Sequence, residues 1–173
     1  MKKLTKPIKP VLLLAGISVF MLMAFQFSSS KPANYEPILM SRADMEASVK
    51  LGDAREIESP GKLWIYNDII LLIEQYKGIH IIDNSNPANS KTIAFIQIDG
   101  CTDMAMKDNI LYANNAVDMI GIKPNQDFSD FTVVARNRNM LPVIPSPEPW
   151  GDSYFYKKLP ANTVIVRWVP YQN

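Results

Sequence analysis

Side chains able to do acid–base, nucleophilic or metal chemistry are few in this 173-residue chain and poorly grouped. His80 is the single histidine and Cys101 the single cysteine, so a Ser/His/Asp or Cys/His relay would have to run through one of them. His80 stands inside the aliphatic run GIHIID, which reads as a strand and gives the imidazole a packing or surface role. Cys101 lies in Asp99-Gly100-Cys101-Thr102-Asp103, where nothing in the sequence activates a thiolate, so it reads as a small turn-flanking thiol. One Cys and one His cannot assemble a zinc set. Carboxylate pairs occur at Asp99 with Asp103 and at Asp127 with Asp130. General acid–base work needs two such groups to converge, and surface turns carry the same spacing routinely. No catalytic residue, metal or cofactor is therefore assigned.

Two further groups offer ligand contacts. Asp83-Asn84-Ser85-Asn86 supplies oxygen donors of the kind calcium takes, but it lacks the glycine and distal bidentate glutamate of the EF-hand loop. It reads as a plain turn. Trp150, Tyr154 and Tyr156, in a proline-flanked cluster, are suited to stacking on sugars or peptides, with covering the end of a sheet as their plainer use.

The first thirty residues belong to delivery and not to the fold. Lys2, Lys3, Lys6 and Lys9 precede the uncharged apolar stretch Val11 to Phe25, and Ser28 to Ser30 follow, which is the order of an export signal. The stretch is shorter than the roughly 20 apolar residues of a spanning helix, so cleavage near Ser30 is expected ahead of retention as a membrane anchor. Either way residues 1–30 engage the membrane during export, and the destination is the periplasm or cell surface. No cysteine follows the run, which leaves nothing to lipidate. A formal net charge of +1 lacks the concentrated basic face that nucleic acid needs. A lone cysteine excludes an intramolecular disulfide, so packing must stabilise the chain.

The elements that would position these residues are short and mostly β. Residues 31–59 form a lead-in, in which Ser41 and Asp44 fit a capping box for a helix from Arg42 to about Leu51, with a strand as the alternative. From Gly61 the aliphatic runs take strand length. Leu63 to Ile65 and Ile69 to Ile73 flank Asn67-Asp68 as a hairpin, and Lys77-Gly78 reverses the chain into Ile79 to Ile82. Gly78 is the structural turn residue of that reversal, Asp83, Ser85 and Pro87 those of the turn that closes the strand, and Thr92 to Ile98 supplies a fourth strand. Sliding the chain by 40 positions brings Asp68 onto Asp108, Ile70 onto Ile110, Leu71 onto Leu111, Ile82 onto Ile122 and Thr92 onto Thr132 without a gap. Four strands in a unit of that length is the spacing of propeller blades. After Asn139, Pro142, Pro145, Pro147 and Pro149 predict an extended surface loop, and Thr163 to Val169 one terminal strand.

The segment Gly78 to Pro87, GIHIIDNSNP, resembles the LVIVD repeat of exported bacterial and archaeal proteins, with Ile79-His80-Ile81-Ile82-Asp83 on the eponymous pentapeptide. A second copy, Asp118 to Lys123, keeps the apolar run and has Lys123 in place of the aspartate, so its turn is expected to be looser. The resemblance extends more loosely over Tyr35 to Asn139. It implies a β-propeller-like extracytoplasmic protein without an agreed catalytic apparatus.

The expectation is an all-β chain: an incomplete β-propeller-like array of about two four-stranded blades over 60–139, one short N-terminal helix, a signal or anchor helix over 1–30, and a Pro-rich loop with a terminal strand over 140–173. The expected role is a non-catalytic binding or scaffold module at the cell envelope, its partner an envelope protein or polysaccharide. A periplasmic hydrolase or lyase using paired carboxylates is the rival from another class, and a truncated relative without independent activity the third. Closed propellers need about four blades or more, so the chain is either an amino-terminal piece of a longer protein or a small open sheet pair. Open sheet edges in the second case invite self-association.

Overall fold

Strand-length aliphatic runs separated by Asn, Asp and Gly leave the backbone little choice but to pair, and it does so in three antiparallel sheets. The computed structural model describes residues 34–148 and 159–171. The expected leader over 1–30 lies outside the described residues, as do Trp150, Tyr154 and Tyr156. In chain order the elements are β1 (Tyr35–Ser41), α1 (Arg42–Ala47), β2 (Lys50–Asp53), β3 (Pro60–Tyr66), β4 (Ile69–Glu74), β5 (Gly78–Asp83) and a 3-10 turn (Pro87–Asn89). Then follow β6 (Lys91–Gln97), β7 (Met104–Lys107), β8 (Ile110–Asn115), β9 (Asp118–Pro124), β10 (Phe131–Asn137) and β11 (Thr163–Pro170).

Sheet 1 has the order β2-β6-β5-β4-β3, sheet 2 the order β10-β9-β8-β7, and sheet 3 pairs β1 with β11. Within sheets 1 and 2 the consecutive strands β3 to β6 and β7 to β10 run as four-stranded meanders. Their facing sides share one core. Leu71 and Ile73 of β4, Ile79 and Ile81 of β5 and Ile96 of β6 pack with Leu111 and Ala113 of β8 and Ile120 and Ile122 of β9. A second core joins sheet 3 to the turn between β8 and β9, with Val164, Ile165, Val166 and Trp168 against Met45, Ala116 and Val117. Burying aliphatic area at about 25 cal/mol per Å² is the main term holding these layers together.

Several expectations change on contact with the structure. The helix stops at Ala47, not near Leu51, because β6 presents a free edge that Lys50 to Asp53 join, Leu51 lying opposite Ile96. A six-residue helix has little stability of its own, so pairing wins. Ser41 does cap it, accepting from Asp44 N at 3.0 Å. The lead-in also holds a strand, β1, whose partner β11 lies at the far end of the chain. The gapless 40-residue offset is not kept in the ladder. Leu71 pairs with Ile81 and Leu111 with Ile122, so Ile81 and not Ile82 stands where Ile122 stands, one more residue lying between the paired positions of β8 and β9 than between those of β4 and β5. Nor is the second turn looser for having Lys123, since Asp127 Oδ1 there accepts from Ser129 N at 3.2 Å and Ser129 Oγ at 2.8 Å.

Gly78 opens β5 at φ +148°, and a Cβ built there would stand 2.0 Å from Ile96 O. Backbone cannot yield as a side-chain tip does. Gly52, in β2, meets nothing nearer than Phe95 O at 3.9 Å. Gly78→Ala is therefore expected to lower unfolding stability by about 3 kcal/mol, whereas Gly52→Ala changes it by less than about 1 kcal/mol. Urea-unfolding midpoints of the two variants check this.

Candidate binding cleft and its buried supports

A loop entering a sheet brings backbone N–H groups that the ladder does not satisfy, and burial makes an unpaired one expensive. Both meanders meet this with a side-chain acceptor at the end of their second strand. Glu74, at the end of β4, accepts from Glu58 N at 3.0 Å and Ser59 N at 2.6 Å. Asn114, in β8, accepts through Oδ1 from Thr102 N and Asp103 N, both at 2.8 Å. Its Nδ2 donates to Gly100 O and Thr102 Oγ1 at 3.0 Å each, so the amide is saturated. Asn115 adds a bond from Nδ2 to Asp99 O at 2.7 Å. The segment joining the sheets is thereby pinned, and with it one wall of a cleft.

That cleft, of about 480 Å³, opens where sheet 2 meets the run Leu141 to Pro145. Tyr112 and Met119 line it from the side of sheet 2 that faces away from the shared core, Gln75 and Tyr76 from the turn after β4, Thr102 and Asp103 from the pinned segment, and Pro142 and Pro145 from the far side. Tyr76 and Ala116, both lining it, take left-handed backbone at φ 63° and 54°. Such values are uncommon for residues with a Cβ and persist where the surroundings dictate them. Here Tyr76 N donates to Cys101 O at 2.7 Å and Gly100 N to Tyr76 O at 2.9 Å. The fold thus spends backbone strain to hold this turn against the inter-sheet segment.

The groups nominated as chemistry are placed apart. His80 is fully buried in sheet 1, its Nε2 3.0 Å from Glu74 Oε2 and its ring edge-on to Phe95 at 4.9 Å. Cys101 is buried in the shared core, and burial, with help from the Asp103 charge, pushes its thiol up to about 12. It is held as a thiol and not as a nucleophile. Asp99 accepts from Gln97 Nε2 at 3.1 Å, Asp103 from Lys62 Nζ at 2.7 Å, Asp127 from Ser129 and Asp130 from Phe131 N at 2.8 Å. Each carboxylate has its own donors. In the turn after β5, Asp83 Oδ1 accepts from Ser85 N at 2.9 Å, while Asn86 Oδ1 accepts from Ala88 N at 3.2 Å and caps the 3-10 turn that Pro87 begins. These oxygens face their own backbone, and no cluster of three His, Cys, Asp or Glu side chains exists among the described residues.

The strongest electrostatic feature escaped the sequence reading. Asp118, the first residue of β9, is wholly buried and accepts from Arg42 at 3.0 Å, Arg136 at 2.9 Å and Asn139 N at 3.0 Å. Arg42 begins α1, so this carboxylate ties the helix to sheet 2. Burial raises the Asp118 carboxyl, but the bonds from Asn139, Arg42 and Arg136 outweigh it and hold the group below the ordinary aspartate range. Around it, Glu46 accepts from Arg138 at 2.9 Å and lies 3.6 Å from Arg42. The cleft residues Tyr76 and Tyr112 were also missed, because nothing local distinguishes a tyrosine that lines a cleft from one on a sheet face.

No family model, curated protein or solved structure matches the sequence.

Removing one partner of a buried ion pair costs about 3 kcal/mol or more, so Asp118→Asn is expected to destabilise the chain by about that much. Because the carboxyl is depressed when folded, its contribution is present above the ordinary aspartate value of about 3.9 and is lost as pH falls through the folded value. The gap between wild type and Asp118→Asn in chemical denaturation should therefore be full at pH 7 and narrow towards pH 3.

Proposed function

We propose that this chain is an exported, non-catalytic binding module of the cell envelope, whose two meanders are successive blades of an incomplete propeller-like array. It takes an uncharged ligand with a flat apolar face, a segment of envelope polysaccharide, in the cleft beside Leu141 to Pro145. The cleft carries the reading. Its walls combine Tyr112, Met119 and the prolines for apolar contact with Gln75 and Thr102 for hydrogen bonds, the mixture that ligand sites favour. Its one acid, Asp103, is exposed and paired with Lys62. Asp83, Asp99, Asp118, Asp127 and Asp130 each accept hydrogen bonds from turn or clamp groups of their own, which favours binding over acid–base chemistry. The blade reading draws on the matched positions of Glu74 and Asn114 within their sheets, each holding two consecutive amides of the segment that enters the meander. The resemblance of Gly78 to Pro87 to the LVIVD repeat and the basic-then-apolar order of residues 1–30 support the envelope location.

In co-sedimentation with insoluble envelope polysaccharide, the purified chain is expected to bind, and Tyr112→Ala to weaken binding about tenfold while leaving the thermal midpoint within a few degrees. The stacking energy of one aromatic side chain sets that figure. Capture that is indifferent to Tyr112, or no capture, sinks the reading; retention on envelope proteins after polysaccharide digestion redirects it to a protein partner.

A second reading, self-association, is favoured by one observation. Edge strand β3 presents Leu63 and Ile65 at 49% and 61% exposure on the side of sheet 1 away from the core. Bare apolar edges of this length pair readily. Sedimentation equilibrium is expected to show a concentration-dependent dimer that Ile65→Lys converts to monomer.

A further inference from the structure

Strands β2 and β3 are opposite edges of sheet 1, so the connection from Ala54 to Ser59 has to cross the sheet's outer side as a strap. Arg55 lies 3.9 Å above the Phe95 ring, and Phe95 and His80 beneath are completely buried. At its far end the strap is fastened by Glu58 N and Ser59 N on the carboxylate of Glu74. That carboxylate is 1% exposed, and its third donor is His80 Nε2 at 3.0 Å.

With Glu74 ionised, its two oxygens accept from all three donors, Glu58 N, Ser59 N and His80 Nε2. A proton on the carboxylate removes acceptor capacity from a site already holding three donors. Burial makes the displaced N–H groups expensive. The surrounding charges do not relieve it: Lys77 pairs with Glu58, Lys62 of β3 with Asp103, and Asp99 beyond β6 accepts from Gln97. Arg55 and Glu56 of the strap, Lys50 and Asp53 of β2, Asp83 at the far end of β5 and Lys91 at the start of β6 complete the charged groups on the elements packed here.

We propose that the Glu74 carboxylate is a proton-operated latch: ionised, it fastens the Ala54 to Ser59 strap across sheet 1, and its protonation releases the strap. Release uncovers Phe95 on the same face of sheet 1 that carries the exposed Leu63 and Ile65 three strands away, enlarging the apolar area of that face in acid. The direction follows from the carboxyl. Burial raises it, yet the bonds from His80, Glu58 N and Ser59 N hold it below the ordinary glutamate range. The latch is then fully closed above the ordinary glutamate value of about 4.3 and opens as pH falls below it. The other sheet supplies a control within the same molecule, since Asn114 holds Thr102 and Asp103 by the same two-amide geometry through an acceptor that does not titrate.

Hydrogen exchange on the full chain between pH 6.5 and 3.5, corrected for intrinsic rates, tests this. Protection at Glu58 and Ser59 is expected to fall roughly tenfold or more, as local opening allows, while Thr102 and Asp103 keep theirs. In Glu74→Gln the strap should be less protected at neutral pH and no longer respond to acid. Three results overturn the latch: strap protection unchanged across the range, strap and Asn114-held segment losing protection together, or an acid response that persists in Glu74→Gln. Should that variant not fold, the wild-type comparison of the two segments decides alone.

Discussion

Backbone amides that arrive at a sheet before its ladder begins must find acceptors, and in this molecule that requirement is met by single side chains. Glu74 and Asn114 occupy the same place in their respective meanders and do the same work, each taking two consecutive N–H groups. Without them, the segment 99–103 would lose its anchor, Tyr76 its partners and the cleft one of its walls. The apolar layers supply most of the energy, but they are non-directional. The acceptors decide where the connecting segments lie.

The two solutions differ in kind. Asn114 is neutral and saturated by four hydrogen bonds, and the position across the ladder from Tyr112 is Gly121. Glu74 is charged, and the position across from Leu72 is His80. A buried carboxylate needs more donors than two amides offer, and the imidazole supplies the third. Asp118 shows the same rule with arginines as donors and sheet 3's helix as the element gained. Buried charge here is a matter of placement, because an apolar substitute of equal volume often matches a buried pair in stability.

His80 illustrates what local reading can and cannot say. That it lies in a strand among aliphatic residues was evident from GIHIID, and so was its unsuitability as a relay. Its partner was not, since Glu74 lies across a reversal whose register depends on Gly78 fitting against Ile96 O. The same holds for the 40-residue offset: Leu71 and Leu111 keep it, while one added residue between paired positions of the second hairpin puts Ile122 in Ile81's place and not in Ile82's. A strand's faces alternate with every residue, so an error of one exchanges buried and exposed sides.

By itself the sequence determined the β character, the turns at Asn67 and Asp83, the Ser41 cap and the poverty of catalytic groups, because each rests on residues within a few positions of one another. The tertiary structure decided the rest. The pairing of β1 with β11, the addition of β2 to β6, the burial of Asp118 between Arg42 and Arg136 and the cleft beside Pro142 all join residues far apart in the chain. Such contacts form only once loop-closure entropy has been overcome by packing that no local pattern reveals.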